Sequence, residues 1–208
     1  MVGFDFLTPI IEFIAALLGF IYVLFIAKEK SSGWIFGILS ATFYAFFFYR
    51  NGTWGLFSQQ ISYIILGFYG LITWSKTQNE MPIYAMQKVI WKWIFLSFIA
   101  GFVFLEFVMY FQFKVLDPTI WMPNAKVEIL DAQFFVFSLL ATWLTTKKVL
   151  ENWYIWIAIN ITGTIWFALE HWWYSSFLYL GYLILAFNGL RKWKRHYPFS
   201  IYGPRVLW

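Results

Sequence analysis

Seven apolar segments divide this chain, and they limit its possible folds more than any motif does. They are Thr8–Ala27, Trp34–Tyr49, Trp54–Trp74, Val89–Phe111, Ile129–Thr145, Trp153–Leu169 and Trp173–Leu190. A helix needs about 20 mainly apolar residues to cross a bilayer. The second, fifth and sixth segments are short for that, so they must stand nearly upright or draw on flanking aromatics. Lipid offers no partner to a free backbone N–H or C=O, so each span must be a helix. The expected fold is an all-α polytopic membrane protein with seven transmembrane helices.

Composition agrees. Charged residues make up 12% of the chain and apolar ones 62%, against about 25% and 45–50% in a soluble domain. There is no cysteine, which excludes disulfides, thiolate metal sites and cysteine nucleophiles. The N-terminal stretch Met1 to Thr8 has an aspartate and no basic residue. A cleavable signal would carry a basic n-region, so the first segment is read as a permanent span.

The net charge of +5 would suggest nucleic acid if it formed a patch on a soluble fold. Here the basic residues follow the loops instead. With seven spans, one side of the membrane receives three of them, Arg50, Lys114 and Lys126, and the other side receives the remaining twelve. The positive-inside rule places the richer side in the cytoplasm. The N-terminus is expected outside and the C-terminus inside.

The chain also repeats itself. Shifted by 119 residues, Trp34 falls on Trp153, Trp54 on Trp173, Tyr63 on Tyr182, Gly70 on Gly189 and Trp74 on Trp193, among eleven identities without a gap. Spans one to three thus match spans five to seven, with span four as a linker. An odd helix between two three-helix units gives both the same orientation, a 3+1+3 parallel repeat. Expected boundaries are 1–75 for the first unit, 76–124 for loop and linker helix, 125–195 for the second unit and 196–208 for a cytoplasmic tail. Transporters with parallel repeats bind substrate near mid-membrane between the units.

The units differ where a ligand would sit. Trp153, Trp156, Asn160, Thr164 and Phe167 share one helix face, at spacings of three and four. Their partners in the first unit are Trp34, Gly37, Ala41, Ala45 and Phe48. One unit supplies bulk and an amide; the other supplies small residues. Gly33 and Gly37 also allow close helix contact. Asn160 both donates and accepts, so it suits a ligand carboxamide, although Asn in membranes also bonds helix to helix. Gln59, Gln60, Ser62 and Tyr63 open the third span, as ligand contacts or as hydrated interface groups. Asn188, which aligns with Tyr69, offers either a ligand contact or an interhelical bond. Trp156 lies a turn deeper than the interface anchor Trp153 and can stack on a flat ring. Glu106, an acid within the linker span, is read as structural or lipid-edge.

Nothing indicates an enzyme. No phosphate loop, Cys/His cluster or serine with a plausible base is present, and no cofactor or metal is expected.

Three stretches resemble the PnuC family of nicotinamide riboside transporters. One is Ala141-Thr142-Trp143-Leu144 through Thr146-Lys147-Lys148 to Glu151-Asn152-Trp153-x-x-Trp156. Another runs from Ser40-Ala41-x-x-Tyr44 to Tyr49, with Gln60 to Phe68-Tyr69-Gly70 and Trp74. The third runs from Leu178-Tyr179-x-x-Tyr182 to Trp193. The resemblance implies a SWEET-like 3+1+3 fold in a bacterial inner membrane and a homotrimer. It implies facilitated uptake of nicotinamide riboside, trapped inside by phosphorylation. Asn160 would then bind the carboxamide. Trp156 and a tyrosine, with Tyr63, Tyr69 and Tyr182 as candidates, would hold the pyridinium. Gln59, Gln60 and Asn188 would take the ribose. A thiamine carrier of the same fold and a non-transporting membrane scaffold are the alternatives.

Overall fold

The computed structural model describes residues 7–51, 54–77, 82–86, 92–93, 96–97, 100, 125–169, 171, 173–196 and 205–206. Six long helices stand among them: α1 (Leu7–Ala27), α2 (Gly33–Arg50), α3 (Trp54–Lys76), α4 (Ala125–Thr146), α5 (Asn152–Leu169) and α6 (Trp173–His196). They fall on the first three and last three expected spans. Most of the expected fourth span, with Glu106, lies outside the described residues.

Helices α2 and α5 have 18 residues each, about 27 Å at 1.5 Å per residue. Helix α4 starts four residues earlier than its apolar segment, and α6 runs on past Leu190 through Arg191, Lys192, Lys194 and Arg195. Apolar content sets where a span can lie, whereas backbone hydrogen bonding lets the helix continue into water. By length and apolarity together, Pro9–Ala27 and Leu56–Lys76 pass as membrane spans among the described residues, with Phe135–Thr146 a shorter apolar stretch.

The six helices form a circuit in which each packs on the next, and α6 returns to α1. The contacts α1–α6 and α3–α4 join residues 7–76 to residues 125–196. A two-residue parallel pairing of β1 (Ala85–Met86) with β2 (Arg205–Val206) adds the only strands among the described residues.

The turns α1–α2 and α4–α5 have the same hydrogen bonds at an offset of 119. Lys30 N–H bonds Phe25 O at 3.0 Å, as Val149 N–H bonds Leu144 O at 3.0 Å. Glu29 N–H bonds Ile26 O, as Lys148 N–H bonds Thr145 O. Gly33 N–H bonds Lys30 O, as Asn152 N–H bonds Val149 O. Glu29 and Lys148 occupy the left-handed position of their turns, at φ 57° and 50°, where glycine is usual because a Cβ is strained there.

Packing next to these turns is matched as well. Trp34 meets Trp74 edge-on at 5.6 Å, and Trp153 meets Trp193 edge-on at 5.4 Å. The Trp34 ring lies on Gly70 and the Trp153 ring on Gly189, each where a Cβ would otherwise stand. Both indole N–H groups are buried without a partner among the described residues. Ring stacking on glycine backbone leaves their edges facing apolar neighbours.

Two core clusters result. One gathers Ile26, Ala27, Trp34, Trp74, Ile83, Leu150, Trp153, Ala186, Leu190 and Trp193 at the end rich in Lys and Arg, called the basic end below. The other gathers Ala141, Leu144, Val149, Ile155 and Ile159 between α4 and α5.

Gly70→Ala and Gly189→Ala are each expected to destabilise the protein by about 1–3 kcal/mol, because a methyl group would overpack against an indole that cannot retreat. Thermal unfolding of the detergent-solubilised variants checks this; midpoints equal to that of the parent protein would show that the indoles do not define this packing.

Candidate functional site

Above the basic end, polar side chains gather between the helices. Gln59 on α3 donates to Ser138 Oγ on α4 at 2.8 Å and to the Tyr63 hydroxyl at 3.1 Å. Ser138 Oγ donates to Phe135 O at 3.0 Å. Ser40 on α2 donates to Ala15 O on α1 at 2.7 Å. These bonds hold hydroxyls and an amide at mid-helix without lone buried charges, the arrangement a buried polar network requires.

Tyrosines surround this network. Tyr22, Tyr44, Tyr63, Tyr179 and Tyr182 lie near one another: Tyr22 by Tyr63, Tyr63 by Tyr179, and Tyr44 by Tyr179 and Tyr182. The exposed Glu12 on α1 lies on the Tyr44 side. Glycines make room for the rings. Tyr22 lies against Gly37, and Tyr179 fills the space a Cβ at Gly163 would take. Tyr182 stacks on Phe20 with centroids 4.5 Å apart, and its hydroxyl faces Gly19 beside Ser40. Such hydroxyl-edged aromatic walls suit a flat, cationic ligand.

Asn160 sits in the middle of α5 and is only 5% exposed. Its carbonyl accepts from Thr164 Oγ1 at 2.7 Å, and Ser176 Oγ on α6 in turn donates to the Thr164 carbonyl at 2.9 Å. The Asn160 side-chain amide has no hydrogen-bond partner among the described residues. The same holds for Gln60 on α3, which is 8% exposed. Neither amide is among the fully buried polar atoms left without a partner, which are the Trp34 and Trp153 indole nitrogens and Asn152 Oδ1 among the described residues. Trp156, one turn from Asn160 toward the basic end, is half-buried and packs against both core clusters.

Gln59, Gln60, Tyr63, Tyr182, Trp156, Asn160 and Thr164 therefore lie on inward parts of α3, α5 and α6. Tyr69 and Asn188 do not join them. Tyr69 is exposed near the basic end, stacked on Trp143 at 5.5 Å and bonded through its hydroxyl to Lys147 Nζ. Asn188 is exposed and lines an open groove with Phe187, Arg191, Lys194 and Arg195. The two residues are partners at the 119-residue offset, and both lie on outer faces of their helices. An apolar context made each look internal, but lipid-facing surface is apolar too.

Ser138, Tyr44 and Tyr179 are site residues that sequence reading passes over as ligand contacts. The offset carried a signal for two of them: Tyr44 aligns with Gly163, and Gln60 aligns with Tyr179. An aromatic ring and a glycine thus exchange places between the halves. Among the described residues, no group of His, Cys, Asp or Glu is arranged to hold a metal ion.

A family model described as "Nicotinamide mononucleotide transporter" matches residues 9–195. The Nicotinamide riboside transporter PnuC of Escherichia coli K12 is 25% identical over 205 residues, covering 88% of this chain and 84% of that protein. Its namesake from Neisseria mucosa is 24% identical over 206 residues, covering 88% of this chain and 73% of that one. A crystal structure titled as that of the vitamin B3 transporter PnuC superposes with a TM-score of 0.64 at 24% identity, covering 94% of this chain and 87% of that one, and so shares the fold. With helices, aromatic site and a family match spanning nearly all of its length, the chain belongs to the PnuC family of membrane transporters.

Proposed function

We propose that this protein carries nicotinamide riboside across the membrane by facilitated diffusion, and that the compound is trapped on the inside by phosphorylation. The observation that carries the reading is the placement of two amides on largely buried residues, Asn160 and Gln60, on inward parts of α5 and α3 together with the tyrosine cluster. Asn160 binds the carboxamide, whose donor and acceptor it complements. Trp156 and a tyrosine of the cluster, Tyr63 or Tyr182, hold the pyridinium between aromatic faces, and its positive charge favours them. Gln59 and Gln60, with Thr164, reach the ribose. Tyr69 and Asn188 stay candidates only through a state in which their helices have turned.

The site favours a riboside over a mononucleotide. A phosphate is best met by cationic donors, whereas Gln59, Gln60, Tyr63, Trp156, Asn160 and Thr164 are all uncharged.

Transport follows from the two halves. The proposed architecture is seven helices in a 3+1+3 parallel repeat, supported by the matched turns and tryptophan pairs at one offset. The units rock about the central site, alternately opening it to either side. No energy coupling is invoked; substrate shifts the states only through differential affinity. The basic end faces the cytoplasm, as the positive-inside rule requires. The setting is a bacterial inner membrane, and the assembly is a homotrimer.

Three measurements test this. Asn160→Ala is expected to weaken riboside binding at least about fivefold, the loss of roughly 1 kcal/mol for one hydrogen bond; calorimetry showing affinity within twofold would remove Asn160 from the carboxamide. In proteoliposomes, nicotinamide mononucleotide should compete at least about tenfold less well than the riboside, since an uncompensated phosphate costs more than 1.4 kcal/mol to desolvate. Thiamine should not displace the riboside; if it binds more tightly, the carrier serves that vitamin instead.

A further inference from the structure

The basic end is closed by contacts that run between the two halves. Trp74 on α3 donates through Nε1 to the Thr146 carbonyl on α4 at 3.0 Å, and Trp193 on α6 donates to the Ile26 carbonyl on α1 at 3.2 Å. Each half thus inserts an indole into the end of the other's first helix. The Trp74 and Trp193 rings lie 6.2 Å apart. Residues 82–86 pass beneath: Ile83 enters the same cluster, and Tyr84 brackets the second turn through Tyr84 N–H to Lys148 O and Leu150 N–H to Tyr84 O.

One ion pair sits inside this seal. Lys148 Nζ lies 3.2 Å from Glu29 Oε2, with the lysine side chain fully buried and the glutamate 18% exposed. The ammonium also stands over the Trp74 ring at 4.8 Å. Glu29 keeps a second partner, His196 Nδ1 at 2.6 Å on the exposed end of α6. The two charges occupy the same place in the two halves: they are 119 residues apart and both are in the left-handed position of matched turns. A pair at equivalent positions meets where the halves meet, on the axis that relates them.

We propose that Glu29 and Lys148, with the indoles of Trp74 and Trp193, form the cytoplasmic gate of the transport path, held shut in this structure. The assignment rests on the transporter reading and on the basic end facing the cytoplasm. Burying an ion pair costs desolvation that largely offsets its attraction. A latch of this kind therefore releases cheaply: on opening, both charges recover water. An apolar plug alone would lose contact area with no such return. The indole N–H bonds to carbonyls at helix ends break and reform in the same motion, because they run between the two halves and are not part of either helix's own ladder.

The chain contains no cysteine, so one engineered thiol reports access through this end. Thr142, buried one turn from Ser138 toward the basic end, is replaced by Cys. The readout is the rate of labelling by a membrane-impermeant maleimide applied to the cytoplasmic face of inverted vesicles. Lys148→Met and Glu29→Gln are each expected to raise that rate at least about threefold, and the double variant no further, because both remove one coupling. Trp74→Phe keeps an aromatic ring but removes the N–H together with the five-membered ring that carries it, so it loosens the seal without touching the charges and serves if the charge variants fail to fold; it too should speed labelling. Equal rates in all of these variants would overturn the gate, as would charge-variant effects that multiply independently. Riboside binding by the same solubilised variants should stay within about twofold, since the gate does not touch the ligand. If the parent protein binds no riboside yet labelling responds as described, the gate stands and the substrate assignment fails.

Discussion

Two crossed hydrogen bonds carry this architecture. Trp74 reaches from the third helix to the end of the fourth, and Trp193 from the sixth to the end of the first. Each satisfies a buried indole donor at a helix-end carbonyl, where an unmade bond costs far more than in water. Everything else at the basic end is arranged around them. Gly70 and Gly189 let Trp34 and Trp153 lie flat on a neighbouring helix, and those rings in turn set Trp74 and Trp193 edge-on. The turns that present Glu29 and Lys148 are the short connections this packing allows.

The polar site lies beyond that seal, and the contrast between the two regions is physical. Four indoles and aliphatic side chains fill the basic end. Further along the same helices, the rings are tyrosines and the buried polar residues are amides and hydroxyls. An apolar plug excludes water and ions, whereas a tyrosine-lined site exchanges a cationic, flat solute's hydration for aromatic faces. The asymmetry at the offset serves the same end. Gly163 admits the Tyr179 ring in one half, while Tyr44 stands at the equivalent position in the other. Segments with matched turns and tryptophan pairs thus differ where the tyrosines gather.

Much of the fold was legible from residues alone. The six described helices match expected spans within a few residues, except where α4 begins earlier and α6 continues further. Both extensions have one cause: a helix closes its own backbone bonds and need not stop where apolar side chains do. Asn160, Gln59, Gln60 and Tyr63 are inward; for the two glutamines the residues alone left a ligand contact and a hydrated interface position equally open. Asn188 and Tyr69 are outward, and hydropathy could not distinguish the cases, because in a membrane protein lipid-facing and core-facing positions are both apolar. Ser138 became visible only through its distant partner Gln59, whereas the place of Tyr179 was settled by Gly163 on the neighbouring helix.

The sequence alone determined membrane residence and the 119-residue correspondence, and it pointed to the side on which basic residues collect. These follow from composition and spacing, which need no knowledge of what touches what. Tertiary structure decided which helix faces look inward, that α1 meets α6 and α3 meets α4, and that Glu29 pairs with Lys148. Those outcomes depend on packing between residues more than 70 apart, where a ring fits only if a distant glycine leaves space. A glutamate and a lysine read one at a time are topology markers in loops. Brought together by matched turns at the meeting of the two halves, they become a single buried contact.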